Sequence, residues 1–494
     1  MKRQLGPIFT ALMLLCAPIA WSQTFTDSVL SAPASPVQVG STDPTQTGSD
    51  SGNTPQDNVP LGILPDNNPP DNGQPGSVPT GPQDTFTHPE QLPALNVFSE
   101  AVTNTGLRLS LQSGVLEEYV TGGTNYNHYW QNFGLFGGGI QVAQIRNNMS
   151  FILGYNGGVT LNSLSIGGSY VTLNQTANGK FVWRLAKRWQ LRMKDQYLYS
   201  DNPFEPFLTY VGDPTPNNPN PIIYFPQAIV EQNQASADLT YQLGPHDSID
   251  FSGNESFQRY LRGNLVGLWN SYTYTGGAFY QHEISPQLAV GGGWSFSALD
   301  FGHGQSRAGV NMIEGFITYK FRPGFTVSAW VGPELTDTKN LIPIFCSPYG
   351  CLIEEQHNSV WDVAEGGNVN WVKHKNAIRG QFSHRVTDGG GILGAVGLYQ
   401  VGVGYSRALA HEWGFGMAAM YSTSNSISHF RANQYLNSAQ GTLSFTRKIS
   451  DAWNANLYYV LIHQSQNYYG LPGKSTANGL GITLRYVWGH TLGR

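Results

Sequence analysis

From residue 101 onward, apolar and polar side chains alternate with a period of two. Ile482, Leu484, Tyr486 and Trp488 fall on one side of an extended chain, and Thr483 and Arg485 on the other. Phe181, Trp183 and Leu185 alternate with Val182, Arg184 and Ala186. Leu239, Tyr241 and Leu243 alternate with Asp238, Thr240 and Gln242, and Ile317, Tyr319 and Phe321 with Thr318 and Lys320. Successive side chains of a strand point to opposite faces, so this period predicts β-strands between two different environments.

A short repeat marks where the strands turn. Phe181 to Trp189, Tyr280 to Leu288, Tyr405 to Trp413 and Phe445 to Trp453 share one frame. Each has an aromatic, Leu or Ile four positions on, Ala or Ser next, then Trp or Leu. Leu243-Gly244-Pro245-His246-Asp247 and Phe321-Arg322-Pro323-Gly324-Phe325 are looser turns with proline and glycine. Longer polar connections are expected at 201–226, 263–268, 339–357, 423–434 and 467–475. The 14 prolines after residue 100 are expected in turns, loops or, for Pro333, near a strand end. The 394 residues from 101 on then hold about 16–18 strands, or roughly 22 residues for each strand and its connection. The uncertain strands are the first, near Leu107–Leu111, and those of the 376–400 region.

Composition decides what lies on either side of these strands. Charged residues make up 12% of the chain, about half the usual share, and aromatics also make up 12%. A soluble sandwich would carry charge outward. Here the polar positions are mostly Gly, Ser, Thr, Asn and Gln, opposite large apolar side chains. Outside the leader no run is apolar enough for a membrane helix, and the chain is not basic enough for a nucleic-acid binder. A closed barrel pairs every backbone group in lipid without an open edge. The fold expected is therefore all-β, a closed antiparallel transmembrane β-barrel. Trp183, Trp189, Trp371, Trp413, Trp453 and Trp488 all lie near proposed tight turns or the chain end, as an interfacial aromatic girdle would.

The N-terminal region reads differently. Lys2 and Arg3 precede an apolar run to Ala20, which predicts a secretory signal cleaved after Ser22. Residues 23–100 contain 9 acidic residues, no Lys or Arg and 13 of the 29 prolines, so a disordered acidic tail is expected there. It reads either as a spacer or as a tether or plug meeting the body, and is placed in the periplasm. Residues 101–494 hold 25 basic and 23 acidic residues. Cys346 and Cys351 read as a disulfide in an external loop of an exported protein.

The layout resembles bacterial outer-membrane β-barrels, most nearly the loosely defined β-barrel porin families. The segment Gly481-Ile-Thr-Leu484-Arg-Tyr486 resembles their C-terminal assembly signal, although eight residues follow it. The resemblance implies outer-membrane lipid, the barrel-assembly machinery and small hydrophilic solutes as partners, and leaves self-association open. By parity Arg184, Arg192, Lys194, Lys320, Lys448 and Arg485 are candidate lumen charges, with Asp238 and Asp250 as counter-charges. The 201–226 connection is expected either to constrict the lumen or to cap it. No cofactor, metal or catalytic group is expected. In His246-Asp247-Ser248 and His357-Asn358-Ser359, neighbouring residues point to opposite faces and make no triad. The function expected is passive diffusion of small hydrophilic solutes. The alternative is a non-conducting barrel with a structural, adhesion or export role, and a barrel hydrolase is a minor third.

Overall fold

The computed structural model describes residues 106–491 apart from 123–127, 147, 165–168, 201–229, 262–268, 303–305, 323, 348–349, 390–393, 410–411, 428–433, 451 and 469–470. The leader, the tail and the 201–226 connection lie outside the described residues. The strands are β1 (Gly106–Gly122), β2 (His128–Arg146), β3 (Met149–Leu164), β4 (Ser169–Ala186), β5 (Trp189–Ser200) and β6 (Val230–Gln242). They continue with β7 (Asp247–Tyr260), β8 (Ser271–Ser285), β9 (Leu288–Phe301), β10 (Ser306–Arg322), β11 (Phe325–Ser347) and β12 (Gly350–Lys373). The last are β13 (Asn376–Thr387), β14 (Val396–Ala408), β15 (Trp413–Ser426), β16 (Tyr435–Lys448), β17 (Trp453–Tyr468) and β18 (Leu471–Thr491).

Each strand pairs antiparallel with its sequence neighbours, and β1 pairs β18 from Gly106↔Thr491 to Gly122↔Ser475. The sheet of 18 strands is therefore a closed barrel. Both weakly patterned regions form strands, which selects 18 over 16. The four-fold turn repeat falls at the β4–β5, β8–β9, β14–β15 and β16–β17 turns. Its aromatic, its Leu or Ile and its final Trp or Leu share the outward face at the barrel rim. All eight connections at this end span two or four residues. Both barrel termini lie at this end as well.

Three expectations need correction. The stretch 339–357 is not a loop: β11 and β12 run through it as strands of 23 and 24 residues, paired as far as Ser347↔Gly350. Likewise 467–475 belongs to β17 and β18, and 423–426 to β15. The stretch 423–426 is polar throughout and 341–345 is apolar throughout, so the period of two vanishes from the sequence in both while the ladder continues. Pro333 sits inside β11 opposite Val363, not near a strand end. The β10–β11 ladder steps from Met312↔Glu334 to Gly315↔Val331, leaving a gap where proline has no N–H to give. Beside it a Cβ on Gly332 would run into the Ile313 carbonyl oxygen, so the close approach there requires glycine.

Candidate functional site

The two faces of the wall differ in chemistry. Inward positions carry buried Gln112, Gln141, Thr240, Gln400, Asn456 and Thr483. Outward positions carry exposed Leu111, Phe136, Leu153, Val401, Leu443 and Ile482. An inverted soluble protein of this kind is a transmembrane barrel, with lipid outside and the polar surface within. No helix among the described residues is long and apolar enough to cross a membrane.

Register places the candidate charges. Arg184, Lys320, Lys448 and Arg485 each alternate with exposed apolar residues, namely Leu185, Phe321, Ile449 and Leu484. Arg192 and Lys194 alternate with Leu191 and Met193 on β5. Arg192 stands opposite Asp238 on β6, and Lys194 opposite Lys180 on β4. Buried Asp250 accepts a hydrogen bond from the Thr240 hydroxyl. Arg108 and Arg379 share the inward parity. These basic positions form an arc over β13 to β5 through the β18–β1 closure, and Lys320 stands apart from it. The acidic positions Asp238, Asp250, Glu314 and Glu334 lie on β6 to β11.

The six candidate tryptophans all fall on outward positions within three residues of the tight-turn end of their strands. Trp189 packs on Tyr241 with ring centroids 4.4 Å apart, Trp453 on Tyr486 at 5.0 Å, and Arg447 lies over Trp413 at 5.1 Å. Leu484 and Tyr486 face outward. Gly481 faces inward, where a Cβ would collide with the Tyr458 ring. Cys346 and Cys351 are direct cross-strand partners at the tip of the β11–β12 hairpin. Antiparallel partners have Cα atoms about 4.5–5.5 Å apart, within the reach of a disulfide.

Period-two reading missed a cluster on the inner wall. β13 pairs with β12 only as far as Glu365↔His384 and then leaves it. At the parting, His384 stacks on Tyr399 at 3.7 Å and its Nδ1 lies 2.8 Å from the Val363 carbonyl oxygen. The Val386 N–H, which no longer has a strand partner in β12, donates to Glu334 Oε1 at 3.0 Å. Asp388 Oδ2 accepts hydrogen bonds from Ser271 Oγ at 3.0 Å and Thr273 Oγ1 at 3.3 Å, both on β8. The start of the β13–β14 connection therefore turns into the barrel. Val386 and Ala395 pack there against Leu299, Phe301, Ala308 and Val310 of β9 and β10. Next to them Phe279, Met312, Phe316 and Trp330 form a second apolar cluster, with Arg385 over the Trp330 ring at 5.6 Å. Gly291 and Gly293 of β9 are bare so that the Phe316 and Phe279 rings can lie flat on the wall. Carrying the Lys320–Thr318 parity two turns of the pleat further would have put Phe316 and Glu314 inside. The inward turn itself has no such sign, because it depends on where one ladder ends.

The two histidine triplets make no catalytic arrangement. Asp247 meets Tyr280 Oη at 2.5 Å and His282 Nδ1 at 2.8 Å, while Ser248 is buried on the opposite face. His357 meets Glu355 at 2.6 Å, and Glu355 also pairs with Lys339 at 2.6 Å.

Among solved structures, the chain shows low similarity to several from one organism. Pseudomonas aeruginosa OpdQ is 9% identical, covering 78% of this chain and 100% of its own, with a TM-score of 0.39. OccK9 (OpdG) from the same organism is 10% identical over 77% of this chain and 98% of its own, with a TM-score of 0.38. OpdL gives 9%, 78%, 99% and 0.35. No family profile and no curated protein matches this chain.

Proposed function

We propose that the chain is an outer-membrane channel for passive diffusion of small hydrophilic solutes, without catalysis or a cofactor. The observation that carries this is the inverted wall: a closed barrel of 18 strands with polar side chains inside and apolar ones outside. Barrels of about this size leave an aqueous lumen. The basic arc over β13 to β5 faces the acidic wall over β6 to β11, and the arc gives the pore a weak preference for anions. Arg184, Arg192, Lys194, Lys448 and Arg485 supply it, with Asp238 and Asp250 at its edge.

In this reading the tight turns and the tail face the periplasm, and the aromatic girdle marks that interface. Gly481, Leu484 and Tyr486 serve recognition by the barrel-assembly machinery. A Cys346–Cys351 disulfide ties the external hairpin tip. A second reading, a non-conducting barrel with a structural, adhesion or export role, draws support from inward-turned Val386 and Asp388 and from the apolar packing of Val386 and Ala395. Planar-bilayer recording separates the two. A channel gives discrete conductance steps, with or without residues 23–100, and Arg192→Ser/Lys194→Ser shifts its reversal potential toward cations. Absence of steps in both forms favours the second reading, and an unchanged reversal potential removes the role of these two residues.

A further inference from the structure

One wall of the barrel is not joined over its full height. β12 runs from Lys373 up to Gly350, but β13 accompanies it only from Lys373↔Asn376 to Glu365↔His384. These nine pairs are the shortest ladder in the barrel. Above Glu365 the edge of β12 that faces β13 has no strand partner among the described residues.

Specific side chains make this parting. Continued by two residues, the ladder would set Val363 opposite Val386 and exchange backbone bonds between them. Instead the Val363 N–H donates to Asp362 Oδ1 at 2.7 Å, its carbonyl oxygen meets His384 Nδ1 at 2.8 Å, and the Val386 N–H goes to Glu334. Asp362 Oδ2 also lies 3.5 Å from His384 Nε2. A backbone group that loses its ladder partner is costly unless it is paired again, and here each one is, so the parting is a stable seam and not a frayed end. Aromatic rings close it. Just below the parting, a Cβ on Gly366 would meet the Trp330 ring on the inner face, and one on Gly367 the Phe382 ring on the outer face. His384, stacked on Tyr399, fills the fork. Farther up, the Asn358 amide reaches across to the Ile427 carbonyl oxygen at 3.5 Å.

The hairpin is loosened on its other flank at the same level. The β10–β11 ladder is interrupted between Met312↔Glu334 and Gly315↔Val331, at Gly332-Pro333, which stand opposite Ala364 and Val363. Both breaks therefore lie on one line across β10 to β13, about which the upper hairpin can bend. Glu365 is six residues along β12 from the girdle residue Trp371, and Trp361 is ten. At about 3.3 Å per residue and a tilt of about 40°, the seam spans roughly 15–25 Å above that girdle, the far part of an apolar band about 25 Å tall. Its outer rim suits lipid, with Trp361 70% and Val363 52% exposed. On the inner face a strip of Phe279, Met312, Phe316 and Trp330 runs from β8 to Ala364 beside the parting. Arg385 lies over the Trp330 end of this strip. Polar lumen, apolar strip, seam and lipid thus lie in series.

We propose that the β12–β13 seam is a lateral passage for small uncharged apolar molecules, which enter the external mouth of the lumen and leave sideways into the outer leaflet. Charge is costly in the lipid beyond the seam, so charged solutes do not take this route. The inference rests on the outer-membrane orientation and on an open external half of the lumen, and it stands whether or not solutes reach the periplasm.

The test is entry of the uncharged apolar dye N-phenylnaphthylamine, which fluoresces on reaching lipid, into intact Gram-negative cells making the full chain. Entry is faster with the native chain than without it, and His384→Ala, which empties the fork, speeds it severalfold more while keeping the heat-dependent gel shift of a folded barrel. Asn358→Cys/Ile427→Cys, made with Cys346→Ser and Cys351→Ser and joined by a short thiol cross-linker, returns entry to the level of cells lacking the chain, with or without His384→Ala. Liposome swelling by neutral sugars, read on the same proteins, is unchanged by the cross-link, so failure of the seam and failure of the aqueous passage are told apart. Dye entry that neither the native chain nor His384→Ala raises above cells lacking the chain overturns the inference. So does entry that the cross-link leaves unchanged, and a cysteine pair that does not join contradicts the closed seam itself.

Discussion

At the scale of single residues, position within the pleat decides role. The same side chain type does different work on either face: Trp330 is a buried wall of the lumen, while Trp453 is an exposed rim anchor. Asp247 shows how a suggestive sequence can mislead. Its neighbours in the chain, His246 and Ser248, suggest catalysis, yet its partners come from the adjacent strand. The Tyr280 hydroxyl and the His282 ring both meet its carboxylate, tying the start of β7 to β8. Asp247→Asn should therefore be less stable than the native chain, by about 1 kcal/mol for each weakened bond. Unfolding in detergent checks this, and native stability in the variant would show that these contacts do not hold the strand pair. Parity put Arg184, Arg192 and Arg485 on the face opposite the apolar stripe without a structure. It could not reveal Glu334, because the proline beside it hid the strand interior.

Among the elements, the long side of the barrel departs from its sequence pattern. Period two is written by lipid on one face, so it reports only the part of a strand that meets the membrane. The β11–β12 hairpin continues beyond that, through residues that looked like a loop. The β13–β14 connection departs in the other direction, inward, because its strand parts from β12 after His384. Two carboxylates hold it there, Glu334 on the Val386 N–H and Asp388 on two β8 hydroxyls. Each such charge-assisted bond is worth about 1.5–3 kcal/mol. Removing both, in Glu334→Ala/Asp388→Ala, should free the segment from the inner wall. Single-channel recording should then show larger steps or flicker between two levels. Native conductance in the double variant would show that the bonds do not hold the passage.

The whole molecule is governed by closure and by the contrast between its faces. The alternation of short and long connections was written in the chain, and the strand number to within 16–18, because lipid acts on every strand alike. The division of the lumen into a basic arc and an acidic wall was not, since it depends on which strands become neighbours when β1 meets β18. The central claim is that this wall encloses a passage for small hydrophilic solutes. Swelling of liposomes carrying the purified full chain, in isotonic solutions of neutral sugars of increasing size, tests it directly. The account predicts rapid swelling with the smallest sugars that declines steeply as size increases. Swelling no faster than in protein-free liposomes, for every sugar, would contradict it.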